Sequence, residues 1–228
     1  TNRALLGIIA AAIALLLAML TMQGMAGYVF PNFYGSSAAQ SASSFISSIA
    51  VLAICAPFAV KLSTKFGKKE LSVVSCLVSA VIFIVCLLVH PANPYVYVAF
   101  FTVAYIGLGF FNTIVWAMIT DVIDDAEVKN GVREDGTIYS VYSFARKLGQ
   151  ALSSGMVGSL LSLIGYTQAT AFEPAVTEGI FKLSCIAPAI GFVLVAVCLQ
   201  FIYPLNRRRV QENVDELARR HQGGKSEG

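Results

Sequence analysis

The sequence predicts an all-α membrane protein with six transmembrane helices, and two features of composition and charge pattern lead to this class. Of its 228 residues, 57% are hydrophobic and only 13% are charged, and the mean hydropathy is +0.72. An average soluble domain has about 25% charged residues, so this chain could not coat a soluble fold. No Asp, Glu, Lys or Arg occurs in two long runs, 4–60 and 71–120, or in two shorter ones, 148–172 and 183–206.

The charge-free runs divide into six predicted spans. A membrane-spanning helix needs about 20 apolar residues, so each long run is long enough for two spans and each short run for one. Turn residues divide the long runs at 30–37 and 90–94. The predicted spans lie at about 4–30, 40–62, 71–89, 95–120, 137–164 and 180–203. We expect residues 1–204 to form one bundle and residues 205–228 to form a basic amphipathic tail.

Lysine and arginine predict the orientation of the bundle. The connections near 31–39, 90–94 and 165–178 contain neither residue. The basic residues flank the other ends of the predicted spans, except for Arg146, Lys147 and Lys182, which lie in or beside spans. The positive-inside rule then predicts a multi-pass protein of the cell membrane with both termini in the cytoplasm. We expect membrane lipid to be a partner of the tail, as an amphipathic helix on the inner leaflet. The net charge of +3 argues against a nucleic-acid partner.

The sequence contains no motif of a membrane-embedded enzyme. It has no H-E-x-x-H, no G-x-S-x-G, no phosphate loop and no dinucleotide fingerprint. Its two histidines, His90 and His221, fall in a predicted external turn and in the tail. We therefore expect no enzyme activity, no metal site and no cofactor.

Two adjacent charges inside span five, Arg146 and Lys147, are the most informative residues. If the helix begins near Thr137, Lys147 lies roughly 15 Å along its axis. A charge at that depth must be paired or face water, unless its side chain extends to the interface. The spans have no carboxylate near their centres, so the partner of Lys147 lies outside this chain or at the end of span four. This pattern suggests half of a larger bundle.

The connection after span four is unusually acidic. Asp121, Asp124 and Asp125 are spaced to share one helical face. Two interpretations stay open. The carboxylates form a solvated face, or they belong to a cytoplasmic gate that forms and breaks salt bridges with Arg133, Lys147 or another domain.

The stretch Asp121 to Leu152 reads D-V-I-D-D-A-E-V-K-N-G-V-R-E-D-G-T-I-Y-S-V-Y-S-F-A-R-K-L-G-Q-A-L. Its pattern D-x-x-D-x-x-E-x-K-x-G-x-R, followed by Y-S and K-x-G, resembles the tenth-to-eleventh helix region of the glycoside–pentoside–hexuronide:cation symporters. The hydropathy of the whole chain is similar to that of the family's helices seven to twelve. The resemblance implies one half of a major-facilitator bundle, whose partner is the N-terminal six-helix half of the same transporter.

The resemblance also implies roles for individual residues. In this family the sugar lies between the two halves, and the coupling cation, Na⁺ or H⁺, binds carboxylates of the N-terminal half. Lys147 matches the lysine that neighbours both sites. The residues expected to bind sugar are Asn112, Trp116, Tyr142, Ser143, Lys147 and Gln150, and those expected to form the cytoplasmic gate are Asp121, Asp124, Arg133 and Arg146. An aromatic ring such as Trp116 suits stacking on a sugar ring.

These observations predict secondary active transport of a sugar or glycoside, coupled to Na⁺ or H⁺ by alternating access. The alternative is a stand-alone six-helix scaffold or a pore formed by self-association. In that case the small residues four apart in span five, such as Ala151, Gly155 and Ser159, would form a homodimer face.

Overall fold

The computed structural model describes residues 2–223, with side chains described through Arg220, and the rest of the predicted tail lies outside the described residues. The described chain is entirely helical and contains no strand, as the sequence predicts. Its helices are α1 (Arg3–Tyr28), α2 (Ser37–Phe66), α3 (Lys68–Val89), α4 (Pro94–Asn130), α5 (Asp135–Leu163), α6 (Pro174–Val197) and α7 (Arg207–Gly223). Two π-helical turns, Val29–Phe33 and Cys198–Ile202, extend α1 and α6.

Local sequence explains where the helices begin and end. The side chains of Asn2, Ser36 and Asn93 each accept a hydrogen bond from a backbone N–H of the following helix, which satisfies a donor that the helix itself leaves unpaired. Gly67 separates α2 from α3 with a φ of 102°, and Gly131 ends α4 with a φ of 73°. Side chains other than glycine rarely adopt such angles, so both positions favour a sharp break.

Five helices are long and apolar enough to cross a membrane: α1 and α6 with their extensions, α2, α3 and α4. Helix α5 has 29 residues, but among the described helices it is not one of those apolar enough to cross a membrane by composition. It contains Arg146, Lys147 and many serines and glycines, which lower its hydropathy.

The helices pack in the spatial order α5, α1, α6, α3, α4 and α2, with α1 between α5 and α6. Small residues bring the helices close together. A Cβ atom added to Gly191 of α6 would lie 2.6 Å from the Cβ of Ala18 in α1. One added to Gly149 of α5 would lie 3.2 Å from the Cβ of Leu16. Close backbone approach of this kind is typical of helix pairs inside membranes.

Helix α4 differs most from its predicted span. It continues past Thr120 to Asn130, so the acidic segment after 120 is helical, and only residues 131–134 connect α4 to α5. The extension forms because Val122, Ile123 and Ala126 continue the buried face of the helix. Helix α6 begins at Pro174, several residues before the predicted span, because proline suits the first position of a helix.

Candidate functional site

One end of the bundle, here named the basic end, gathers the termini of several helices. Arg3 donates a hydrogen bond to the carbonyl of Phe201 at 2.9 Å, and Arg207 donates one to the carbonyl of Lys65 at 2.7 Å. Lys69 donates to the carbonyl of Tyr203 at 2.7 Å. These bonds satisfy carbonyl groups that helix ends leave unpaired, so the basic residues cap the helices as well as carrying charge.

Asp121 is buried at the basic end and pairs with α3. Its Oδ1 atom lies 2.6 Å from the Nζ of Lys68, while its Oδ2 atom has no hydrogen-bond partner in the described chain. A buried carboxylate without a cation is strongly unfavourable. Lys68 therefore stabilises Asp121 and links α3 to α4.

Arg133 holds three carboxylates around the short connection between α4 and α5. Its guanidinium lies 2.9 Å from Asp124, 2.8 Å from Glu127 and 3.0 Å from Asp135. The hydrogen bonds to Glu127 and Asp124, with a further one to Asp135, raise the pKa of Arg133. The pair of Asp124 with Arg133, both predicted gate residues, is therefore formed in this structure.

Asp125 binds helix α7. It is 1% exposed and forms an ion pair with Lys129 of its own helix. Its Oδ1 atom accepts a hydrogen bond from the Nδ2 of Asn213 at 3.2 Å and lies 3.5 Å from the Nε of Arg209. Asn213 and Leu217 are buried against the bundle, so the tail helix packs on α4 through one face.

A second cluster joins α4 to α5. The rings of Trp116 and Tyr142 meet edge to face with centroids 5.5 Å apart. The guanidinium of Arg146 lies 5.5 Å from the Trp116 ring and 5.9 Å from the Tyr142 ring, and it donates a hydrogen bond to the Tyr142 hydroxyl at 3.3 Å. We name these three residues the aromatic–arginine cluster. Arg146, which the sequence assigned to the gate, thus contacts two residues predicted to bind sugar.

The remaining predicted site residues lie on the same two helices. Ser143, Lys147 and Gln150 are exposed on α5, and Asn112 is half-buried on α4. Within the described part of the chain, Lys147 forms no ion pair or hydrogen bond with an acidic residue. The end of α4, one of the two predicted locations of its partner, therefore does not supply one here.

The residues predicted to bind sugar do not include those of a polar pocket between α1, α2 and α4. The cavity has a volume of about 290 Å³ and is lined by Gln23, Ser44, Ser47, Ser48, Phe101 and Tyr105. The serines of α2 were the available signal, because several recur at helical spacing in an otherwise apolar span. Only packing brings them beside Gln23 and Tyr105.

Long apolar helices with charged and polar side chains on one surface are typical of a multi-pass membrane protein. The chain belongs to the family described as MFS/sugar transport protein, which matches residues 1–207. It is a multi-pass protein of the cell membrane, and the relatives described below are named as transporters, not as enzymes. The predicted family resemblance is confirmed.

Curated relatives agree with the family. The chain is 33% identical to an uncharacterized symporter, YjmB, of Bacillus subtilis over 160 residues, which are 70% of this chain and 35% of that protein. It is 31% identical to a putative sulfoquinovose importer of Salmonella typhimurium over 168 residues, 74% of this chain and 35% of that protein. It is 30% identical to a glucuronide carrier protein homolog of Escherichia coli over 165 residues, 72% and 36% respectively. The chain thus spans about a third of the length of these relatives.

Proposed function

We propose that this chain is the C-terminal half of a symporter that moves a sugar or glycoside with Na⁺ or H⁺. In this proposal α5 is the sixth transmembrane helix, and the basic end lies in the cytoplasm together with both termini. The positive-inside distribution of lysine and arginine supports the orientation. The relatives named for a glucuronide and for sulfoquinovose support a sugar substrate.

The observation that carries the proposal is the exposed surface of α5. Lys147 is exposed in the middle of this helix, and no acidic side chain in the described chain pairs with it. Cβ atoms added to Gly155 and Gly158 would have no neighbour within 4 Å. A surface with a charge and rows of small residues suits contact with another helical bundle and an aqueous path, and it is costly in lipid. The N-terminal half would provide that second bundle.

In the alternating-access mechanism, the basic end and the substrate-binding residues have different proposed roles. The two halves rock about a site near the membrane centre, and the basic end of this half meets the other half when the cytoplasmic side closes. Asp121, Asp124 and Arg133 belong to this gate. The sugar ring stacks on Trp116, while Asn112 and the exposed side chains of α5 form hydrogen bonds with its hydroxyls. Lys147 lies next to the cation-binding carboxylates of the other half.

The same surface of α5 is also compatible with a stand-alone scaffold or a self-associating pore, because small-residue rows favour homodimers as well. Transport measurements separate these functions. A scaffold produces no solute flux, and a pore lets solute equilibrate without accumulating it.

The test is uptake of labelled glycosides, pentosides and hexuronides into membrane vesicles that contain the full-length protein. Each solute is offered with a Na⁺ gradient, a proton gradient or neither. We expect one gradient to drive accumulation of one sugar class above its external concentration. Equilibration without accumulation would contradict coupling, and absence of any sugar flux would overturn the proposal.

A further inference from the structure

We propose that the polar pocket between α1, α2 and α4 is a binding subsite for an uncharged, hydroxyl-rich ring of the transported solute. This inference depends on the proposed transport function and adds a site to it that is separate from the aromatic–arginine cluster. The pocket of about 290 Å³ falls at the small end of ligand-binding cavities, which begin near 300 Å³. Such a volume suits one sugar ring.

The pocket presents hydrogen-bonding atoms that the protein uses only in part. The Nε2 of Gln23 donates to the Tyr105 hydroxyl at 2.9 Å, and the carbonyl oxygen of Gln23 takes no hydrogen bond from the described chain. The hydroxyls of Ser44 and Ser48 donate to carbonyls one turn earlier, at 3.3 and 2.7 Å. Each serine hydroxyl donates its proton to a backbone carbonyl, and its oxygen lone pairs can still accept a hydrogen bond from a ligand. The pocket therefore offers acceptors from Gln23, Ser44 and Ser48, and a donor from Tyr105.

The deeper wall of the pocket is fixed by packing. Ser47 is buried and shares a hydrogen bond of 3.1 Å with Thr102 of α4, which ties α2 to α4 behind the pocket. The rings of Phe101 and Tyr105 lie nearly parallel, 10° apart, with centroids separated by 6.0 Å. Aromatic side chains beside several acceptors match a sugar ring, which has apolar C–H faces and hydroxyls at its edge.

The pocket lies deep within the helices. Gln23 precedes the end of α1 by five residues, and Ser44, Ser48 and Tyr105 follow the starts of their helices by seven to eleven residues. At about 1.5 Å per residue this places them roughly 8–17 Å from the helix ends, well inside helices that are long enough to span a hydrocarbon core of about 30 Å. Exposed polar groups at this depth are unfavourable against lipid, because they lose hydrogen bonds with water. They suit a path for a polar solute.

The lining also indicates the charge of the ligand portion that binds here. No Asp, Glu, Lys or Arg is among the described residues around the cavity. A carboxylate or sulfonate would have no counter-charge in this pocket, so the subsite is expected to hold hydroxyl groups. The adjacent cations Arg146 and Lys147 are on α5 and do not line the pocket.

Transport kinetics of the full-length protein test the subsite. Ser48→Ala and Gln23→Leu each remove one acceptor, and we expect the KM for the transported sugar to rise about fivefold, the ratio typical of one lost hydrogen bond. The maximal rate should stay within twofold. Ser162→Ala is the matched control, because this exposed serine also donates to its own helix, at 2.9 Å, and does not line the pocket. An unchanged KM in both pocket variants would overturn the subsite.

Thiol protection adds a readout that does not depend on transport rate. Ser48→Cys and Ser162→Cys are made in a protein without its native cysteines and treated with a membrane-impermeant maleimide. The sugar that the wild-type protein accumulates should slow the labelling of position 48 severalfold and leave position 162 unchanged. Equal labelling with and without sugar would contradict occupancy of the pocket. If the wild-type protein accumulates no sugar, the proposed function has failed; if it does and the pocket variants behave as wild type, only the subsite has failed.

Discussion

The basic end and the exposed surface of α5 differ in whether their charged side chains have partners of opposite charge within the described chain. At the basic end, Asp121, Asp124 and Asp125 each have a cation from the same chain within hydrogen-bonding or ion-pairing distance. On α5, Arg146 is held by aromatic rings, and Lys147 has no acidic partner among the side chains that the structure describes. These three carboxylates thus each have a cation from this chain, whereas Lys147 on α5 would need an acidic partner from elsewhere.

The difference follows from burial and depth. Asp121 and Asp125 are almost fully buried, so each would be costly without a nearby cation. A lysine in the middle of a membrane helix costs several kcal/mol unless it meets water or a counter-charge. A sequence that retains Lys147 there without supplying an acid is consistent with a second half that supplies one.

Replacement of Lys147 should have the largest effect on function. We expect Lys147→Ala in the full-length protein to abolish gradient-driven accumulation, because the substitution removes the charge that would link the two halves to the coupling cation. Uptake into vesicles, normalised to the amount of protein in the membrane, measures the effect.

Lys182→Ala is the control for this experiment. Lys182 is an exposed lysine that pairs with Glu178 one turn away, at 3.3 Å, so its loss should leave accumulation within twofold. Normal accumulation by Lys147→Ala would remove the coupling role and weaken the contrast between the two regions.

The aromatic–arginine cluster should produce the next largest effect. Trp116→Ala removes the ring that contacts both Tyr142 and Arg146, and it would also remove a stacking surface for sugar. Aromatic and cation–π contacts each contribute about 1 kcal/mol, so we expect KM to rise about tenfold. Trp116→Phe keeps an aromatic ring and should raise KM less. Equal effects of the two substitutions would show that stacking does not determine affinity.

Much of the fold could be predicted from the sequence because membrane helices are marked by long apolar runs. Five predicted spans correspond to apolar helices, and residues near their ends, such as Asn2, Ser36 and Asn93, mark helix starts. The end of α4 was harder to predict. Acidic residues suggested a connection, yet Val122 and Ile123 preserve the buried face and continue the helix.

The candidate site was less predictable, because spacing identifies partners within one helix but not between helices. The shared face of Asp121 and Asp125 was visible in the sequence. That Asp121 pairs with Lys68 of α3, and Asp125 with residues of α7, depends on which helices are neighbours. The pocket formed by Gln23, Ser48 and Tyr105 has the same origin, since three separate helices contribute to it.

A smaller effect is expected from breaking the contact between α4 and the tail helix. Asp125→Asn keeps the shape of the side chain but removes the charge that attracts Lys129 and Arg209. Hydrogen bonds to charged groups contribute about 1.5–3 kcal/mol, so the melting temperature of the purified full-length protein should fall by several degrees. Limited proteolysis should also cut α7 faster. Asp215→Asn is the control, because the hydrogen bond that the described side chains give this exposed carboxylate comes from Gln211 of its own helix, at 2.9 Å. A stable, protease-resistant Asp125→Asn protein would show that Asp125 does not hold the tail.

The smallest expected effect comes from two neighbouring arginines of α7, of which only one, within the described chain, reaches a buried carboxylate. The side chain of Arg208 is 87% exposed and pairs with Glu212, itself 59% exposed, whereas Arg209 reaches the buried Asp125. Solvent screens the first pair, and ordering two long side chains offsets what attraction remains. Arg208→Gln should therefore change the melting temperature by less than about 1 °C. Arg209→Gln should lower it measurably, although less than Asp125→Asn, because Lys129 and Asn213 still bind the carboxylate. If the two arginine variants melt alike, the tail contributes to stability through its apolar face, Leu217 above all, and not through its charge.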